Sequence, residues 1–304
     1  MIGINLAPKY SALKNYRLLF LCLLLTGVGY GQTTPKTKPL KERLKEKNTT
    51  SNVTKYLDEA KWNELFPHRA NLDKKAGAGD FYSYKAFLEA AKLFPNFMAE
   101  GDADTQKREL AAFFANISLE TANIWTDSAG VYLKWALYYI EEQGSGHKDH
   151  YADKTNEEYP PVAGKYYYGR GPVQISWNYN YGQFSEAWFG NKDTLLQHPE
   201  LLSHDPVLAL VSALWFWMTP QYPKPSCHDI MTGKWKPTGD DIKKGRVPGF
   251  GATVNVFNGA IECGHKTDEG STGYRYKYYQ YYCKYFGVAP GPNIECSPQR
   301  PFGR

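Results

Sequence analysis

The stretch "TQKRELAAFFANISLETA", Thr105 to Ala122, decides how the chain is read. Leu110, Phe113, Phe114 and Ile117 fall at i, i+3, i+4 and i+7, the pattern of an amphipathic helix. Lys107, Arg108 and Glu109 give it a polar start. Glu120 follows Ile117 by three residues and Phe113 by seven, so it sits at the edge of the apolar stripe. A carboxyl desolvated there is pushed toward its protonated form and can donate a proton near neutral pH. The plain alternative is a helix-end glutamate that swings to solvent or pairs with an arginine.

A second carboxylate comes after a turn. "SAGVYLKWALYYIEEQGSG" ends on Glu141, Glu142 and a Gly-Ser-Gly breaker, which predicts a loop. A carboxylate entering such a loop is solvated and can accept a proton. Two carboxyl groups housed this differently are the pairing that glycoside hydrolysis uses. A third element is "KYYYGRGPVQISWNYNYG", Lys165 to Gly182. Its "VQISW" alternates, which predicts a half-buried strand with Gln174, Ser176 and Asn178 on one face and Val173, Ile175 and Trp177 on the other. Such a polar face could hold a water and a neutral polar substrate.

The 304 residues suffice for one large domain, and 24 Tyr, 15 Phe and 8 Trp serve equally an aromatic core or a sugar-binding surface. Residues 1–31 combine Lys9, Lys14 and Arg17 with the apolar run Leu18 to Leu25 and small Gly29 and Gly31, the order of a secretory signal peptide. Residues 32–55 are Thr-, Lys- and Pro-rich and are expected to be a linker before a catalytic domain over 56–304. The leader carries +3 and the linker +5 of a net +5, which leaves −3 for the domain. Nucleic-acid binding thereby loses its electrostatic argument. After leader removal, no stable membrane association is expected, and the chain is expected to be secreted. Cys227, Cys263, Cys283 and Cys296 remain in the exported chain, where three full pairings are open. No CxxC, HExxH or GxGxxG pattern occurs, so neither a metal nor a cofactor is expected.

Six stretches in order resemble the family 19 glycoside hydrolases, the plant-type chitinases. They are "DFYSYKAFLEAAKLFPNF", "DTQKRELAAFFANISLET", "YYYGRGPVQISWNYNYG", "SALWFWMTPQYPKPSCHD", "VPGFGATVNVFNGAIECG" and "NIECSPQRPFG". The resemblance covers about Asn52 to Arg304. It implies a mainly α, two-lobed, lysozyme-like fold with a small β-sheet beside a long substrate cleft. It implies a monomer that hydrolyses β-1,4 bonds between N-acetylglucosamine units of chitin with inversion. By motif position Glu120 is the general acid, Glu142 the general base and Ser176 the residue that helps hold the attacking water. Thr121, Tyr159, Gln174, Tyr179, Asn180 and Asn258 are carried over to the sugar-binding cleft. Lys224 and Arg275 are carried over as well, and could hold the catalytic carboxylates in place. Cys263 and Cys296 match a bridged pair.

The chain departs from the family at Leu119, where histidine is usual, and at Tyr159, where many plant members have tryptophan. Tyr138 and Pro161 occupy two cysteine positions, so the loop from Ser145 to Val162 is expected to be looser. Two other functions stay open at this point: a peptidoglycan-active hydrolase and a non-catalytic chitin-binding protein.

Overall fold

The computed structural model describes Glu42 and residues 51–71, 80–123, 131–144, 150–264 and 271–303. The chain divides into Met1–Lys38 and Pro39–Arg304, and the description concerns the second unit. The expected leader and most of the expected linker lie outside the described residues. The end of that linker is already folded: Ser51 caps a 3-10 turn, Asn52–Lys55, and Val53 is fully buried.

In chain order the helices are α1 (Glu59–Leu65), α2 (Tyr84–Ala91), α3 (Ala103–Thr121), α4 (Asn178–Phe189), α5 (Asp193–Gln197), α6 (Leu201–His204), α7 (Pro206–Met218), α8 (Cys227–Met231), α9 (Gly239–Lys243), α10 (Phe250–Glu262) and α11 (Ser271–Tyr285). The expectation of a mainly helical protein is met. Helix α3 is the axis of the core. Asp102 starts it by accepting from Thr105 N at 2.8 Å, a cap of about 1 kcal/mol. Every residue from Leu110 to Ser118 is buried, so the sequence's one-sided stripe is in fact a helix enclosed all round. Ala111, Ala112 and Ala115 let neighbours approach the faces that Phe113 and Phe114 leave open. Helix α11 packs along α3, and α2 packs against α7, which is apolar except for Ser212. Aromatic rings fill the space between: Trp62 stacks on Phe87 at 4.8 Å, and Phe113 meets Trp217 edge-on at 5.5 Å.

The end of α3 is used as an attachment point. Helix C-termini leave carbonyls without partners. Here the Thr121 carbonyl accepts from Tyr138 N at 3.1 Å and Tyr139 N at 3.0 Å. The Thr121 hydroxyl donates to the Ile117 carbonyl at 2.6 Å and accepts from Leu137 N at 2.9 Å. The segment before Glu142 is thus pinned beside Glu120. Glu142 is three positions past Tyr139, a reach of about 10 Å at most.

The small sheet is absent among the described residues, and single bridges stand in its place. Arg170 pairs with Glu141 on one side and Ile175 on the other. "VQISW" is not a strand, because Gln174 has φ 47° and Trp177 φ 74°, conformations that turn the chain instead of extending it. Val173 and Ile175 are buried as expected, but Trp177 is half-buried and Asn178 fully buried, so the predicted faces fail at the turn. No helix among the described residues is long and apolar enough to cross a membrane.

Candidate active site

Glu120 is the penultimate residue of α3, where the helix dipole already disfavours negative charge. Its side chain is 16% exposed. Oε1 accepts from Arg275 Nη2 at 2.6 Å and from Asn258 Nδ2 at 3.1 Å. Arg275, on α11, is 1% exposed and forks further: Nη2 and Nε reach Glu262 Oε1 and Oε2 at 2.6 and 3.1 Å, and Nη1 reaches Asn116 Oδ1 at 3.0 Å. Asn258 also donates to Glu262 Oε1 at 3.2 Å. It can face both carboxylates because α10 kinks there, at φ −132° and ψ 31°. One arginine thus lies between two carboxyl groups, and its charge balances only one of them. Burial pushes the Glu120 pKa up, Arg275 opposes this, and the Glu262 charge adds to it; the net direction is upward. Glu120 is therefore the carboxyl poised to hold a proton.

Glu142 is held differently. Its backbone N–H donates to the Gly169 carbonyl at 2.8 Å. The Gly169 N–H donates to Oε2 at 3.2 Å, and the Tyr151 hydroxyl donates to Oε1 at 3.1 Å. The loosely solvated carboxylate expected from the Gly-Ser-Gly breaker is in fact half-buried and pinned by two donors. Glu141, next to it, turns to structural work: it accepts from Ser203 Oγ at 2.8 Å and pairs with Arg170 at 3.4 Å.

Ser176 lies one residue past the Arg170–Ile175 bridge, on the same frame as Glu142. Its carbonyl accepts from Asn180 Nδ2 at 2.8 Å, which fixes the backbone, while its hydroxyl bonds no described protein group. Gln174 donates from Nε2 to the Gly171 carbonyl at 2.9 Å. A Cβ at Gly169 would stand 2.7 Å from Gln174 Oε1, so a larger residue there would displace the Gln174 side chain. Tyr179 stacks on Trp177 at 5.9 Å.

The structure therefore groups Glu120, Asn258 and Arg275 in one cluster, and Glu142, Ser176, Gln174, Tyr179 and Asn180 in another. Three expected cleft residues are turned elsewhere. Thr121 is fully buried and closes the helix end. Tyr159 is 7% exposed, packed where a Cβ on Gly182 would clash at 2.3 Å, and its hydroxyl donates to Glu186 at 2.9 Å. It presents no ring face for a sugar. Lys224 donates to the Val256 carbonyl at 3.0 Å. Cys263 and Cys296 form the expected disulfide, directly after Glu262; Cys227 and Cys283 are buried free thiols.

The loop expected to be loose has a substitute for its missing bridges. The part over residues 145–149 lies outside the described residues. Beyond it, buried Asn178 accepts from Asp153 N at 2.7 Å and donates to the Asp153 and Tyr159 carbonyls at 3.1 and 2.6 Å. Glu262, Asn116 and Tyr151 escaped the sequence analysis. Glu262 carried a signal, since it lies one helical turn past Asn258, while Tyr151, nine residues past Glu142 across a loop, carried none.

The family model of the class I chitinases, glycoside hydrolase family 19, matches residues 57–296. The chain belongs to this family. Endochitinase A2 of Pisum sativum is 45% identical over 242 residues, 80% of this chain and 72% of the relative. An inactive chitinase-like protein 1 of Hevea brasiliensis is 44% identical over 249 residues, 81% of this chain and 76% of its own. Among solved structures, chitinase C from Streptomyces griseus superposes with a TM-score of 0.62 at 31% identity, covering 83% of this chain and 100% of that one. As a family 19 protein the chain is placed with the lysozyme-like chitinases, and its helical core agrees.

Proposed function

We propose that this chain is a secreted, endo-acting chitinase that cleaves β-1,4 bonds between N-acetylglucosamine units with inversion. The observation that carries the proposal is the contrast between the two carboxyl groups. Glu120 is buried and driven toward the protonated form, whereas Glu142 is oriented by two hydrogen-bond donors. In this reading the sugar chain lies in a long cleft between two lobes. Glu120 gives its proton to the glycosidic oxygen as the bond to the anomeric carbon breaks. Glu142 takes a proton from a water held with Ser176, and that water adds to the opposite face of the sugar. Inversion of this kind needs the two carboxyl groups about 6.5–9.5 Å apart. The substrate is neutral, so Asn180, Asn258 and Gln174 suit its amide and hydroxyl groups, and Tyr179 its ring face. Export would follow from the leader at residues 1–31.

Glu120→Gln and Glu142→Gln are each expected to slow hydrolysis of chitin oligomers by about a hundredfold or more without loss of fold. Proton NMR of the first product should show the α-anomer. Near-normal turnover in either variant would sink the assignment, and a β-anomer would sink inversion. Purified peptidoglycan run in parallel tests the related substrate, whose backbone also links N-acetylated sugars. A non-catalytic reading is favoured by one observation, the 44% identity to a relative named inactive. Chitin-oligomer binding with no new reducing ends from the wild type would establish it.

A further inference from the structure

We propose that Tyr151 is the positioning residue of Glu142, setting the angle of that carboxylate; this rests on Glu142 being the base. The geometry is specific. One donor sits on each carboxylate oxygen, Tyr151 on Oε1 at 3.1 Å and Gly169 N–H on Oε2 at 3.2 Å. Together they fix both the plane and the rotation of the group. A carboxylate aimed in this way presents its remaining lone pairs in a fixed direction.

Tyr151 is itself braced. Its ring meets Trp177 edge-on at 5.6 Å, and its carbonyl accepts from Asn178 N at 3.2 Å. Burial, then the charge and hydrogen bond of Glu142, push its phenol up to about 12, so the hydroxyl remains a donor at any working pH. The brace is also where the backbone is strained. Trp177 adopts φ 74°, a left-handed conformation that strains a residue with a side chain. Trp177 directly follows Ser176. One strained residue therefore sets the backbone beside the water-holding hydroxyl and supports the ring that holds the base. Strain of this sort persists only where surrounding structure enforces it, here through Tyr151, Tyr179 and the start of α4.

Among the described residues, the other ionisable groups at this place are Glu141 and Arg170, paired at 3.4 Å, Tyr168 and Tyr181 against Arg170, and His150 next in the chain. Substituting Tyr151 leaves all of them unchanged.

The test is Tyr151→Phe beside wild type and Glu142→Gln, assayed on chitin oligomers across pH. We expect kcat to fall about tenfold, the scale of one charge-assisted hydrogen bond, with KM little changed. The acid limb of kcat/KM should move to higher pH, because the charged form has lost a donor. A merely structural tyrosine would move Tm and leave the limb in place. Wild-type kcat with an unmoved limb overturns the proposal, as does a rise in KM alone, which would make Tyr151 a sugar contact. If Tyr151→Phe does not fold, 3-fluorotyrosine at position 151 keeps the shape and strengthens the donor. The acid limb should then move to lower pH, and no movement overturns the proposal. Turnover retained in Glu142→Gln would instead sink the base assignment itself.

Discussion

The two carboxyl groups of the candidate site are governed by different physics. Glu120 sits in a cluster gathered from three helices, with Asn116 on α3, Asn258 and Glu262 on α10 and Arg275 on α11. Its protonation is decided by burial and by one cation placed between two acids. Glu142 sits on short bridged segments, and it accepts from two neutral donors, the Tyr151 hydroxyl and the Gly169 N–H. The difference teaches that an acid can be made by restricting solvent and counter-charge, whereas a base is made by aiming it. Each half can be disturbed separately.

The largest effect should come from Arg275→Ala. It leaves Glu120 and Glu262 buried without their shared cation, and removing one partner of a buried pair typically costs about 3–5 kcal/mol. Chitin hydrolysis should fall by about a hundredfold or more, since the acid loses its position. The stability loss also has a sign with pH. A carboxyl whose folded pKa lies above its unfolded value binds its proton better in the native state, so stability falls as pH rises through the folded value. Burial already shifts Glu120 upward, and losing the arginine removes what opposes that shift. Thermal melts of Arg275→Ala should therefore recover toward wild type in acid. A variant equally destabilised at every pH would show that the cluster is held by shape and not by charge.

A smaller and more selective effect should follow Glu262→Gln. The amide keeps an oxygen for Arg275 but removes the negative charge that raises the Glu120 pKa. Glu120 then loses its proton at lower pH, and the basic limb of kcat/KM moves down. At the acid plateau the rate should stay within about tenfold of wild type, because the acid is still protonated there. On the proposed assignment the acid limb reports the base and should not move. If both limbs shift together, the two halves are coupled and the contrast between them is wrong.

The acid half was more legible in the sequence than the base half. The period of Leu110, Phe113, Phe114 and Ile117 shows α3, and its spacing brings Glu120 near the apolar side. What it does not show is enclosure on all sides, which depends on helices such as α7 and α11 arriving from distant sequence. The strand expected at "VQISW" failed for a local reason: Gln174 and Trp177 take positive φ, which residue type alone does not announce. Family resemblance picked out Ser176 and Asn180, which the structure places just past the Arg170–Ile175 bridge, and it placed Tyr159 in the cleft. The structure turns that ring inward, because Gly182 leaves room for it and Glu186 accepts its hydroxyl. Tyr151 was invisible because its hydrogen bond crosses a loop, where spacing carries no periodic information.

The smallest effect, and the sharpest question about the acid half, concerns Leu119. It packs partly buried against the core, directly before Glu120, where the family usually supplies histidine. An apolar neighbour adds to the burial that raises the Glu120 pKa, the dominant cause of that shift. Leu119→His should therefore restore a polar neighbour and move the basic limb of the pH–rate profile down, in the same direction as Glu262→Gln. The plateau rate should change by no more than about threefold, since neither the acid nor its arginine is altered, and an off-site polar change is worth less than about 1 kcal/mol. The acid limb should again stay put. An unmoved basic limb would mean that Arg275 and Glu262 alone set the acid, and that the surroundings of Glu120 tolerate leucine or histidine equally.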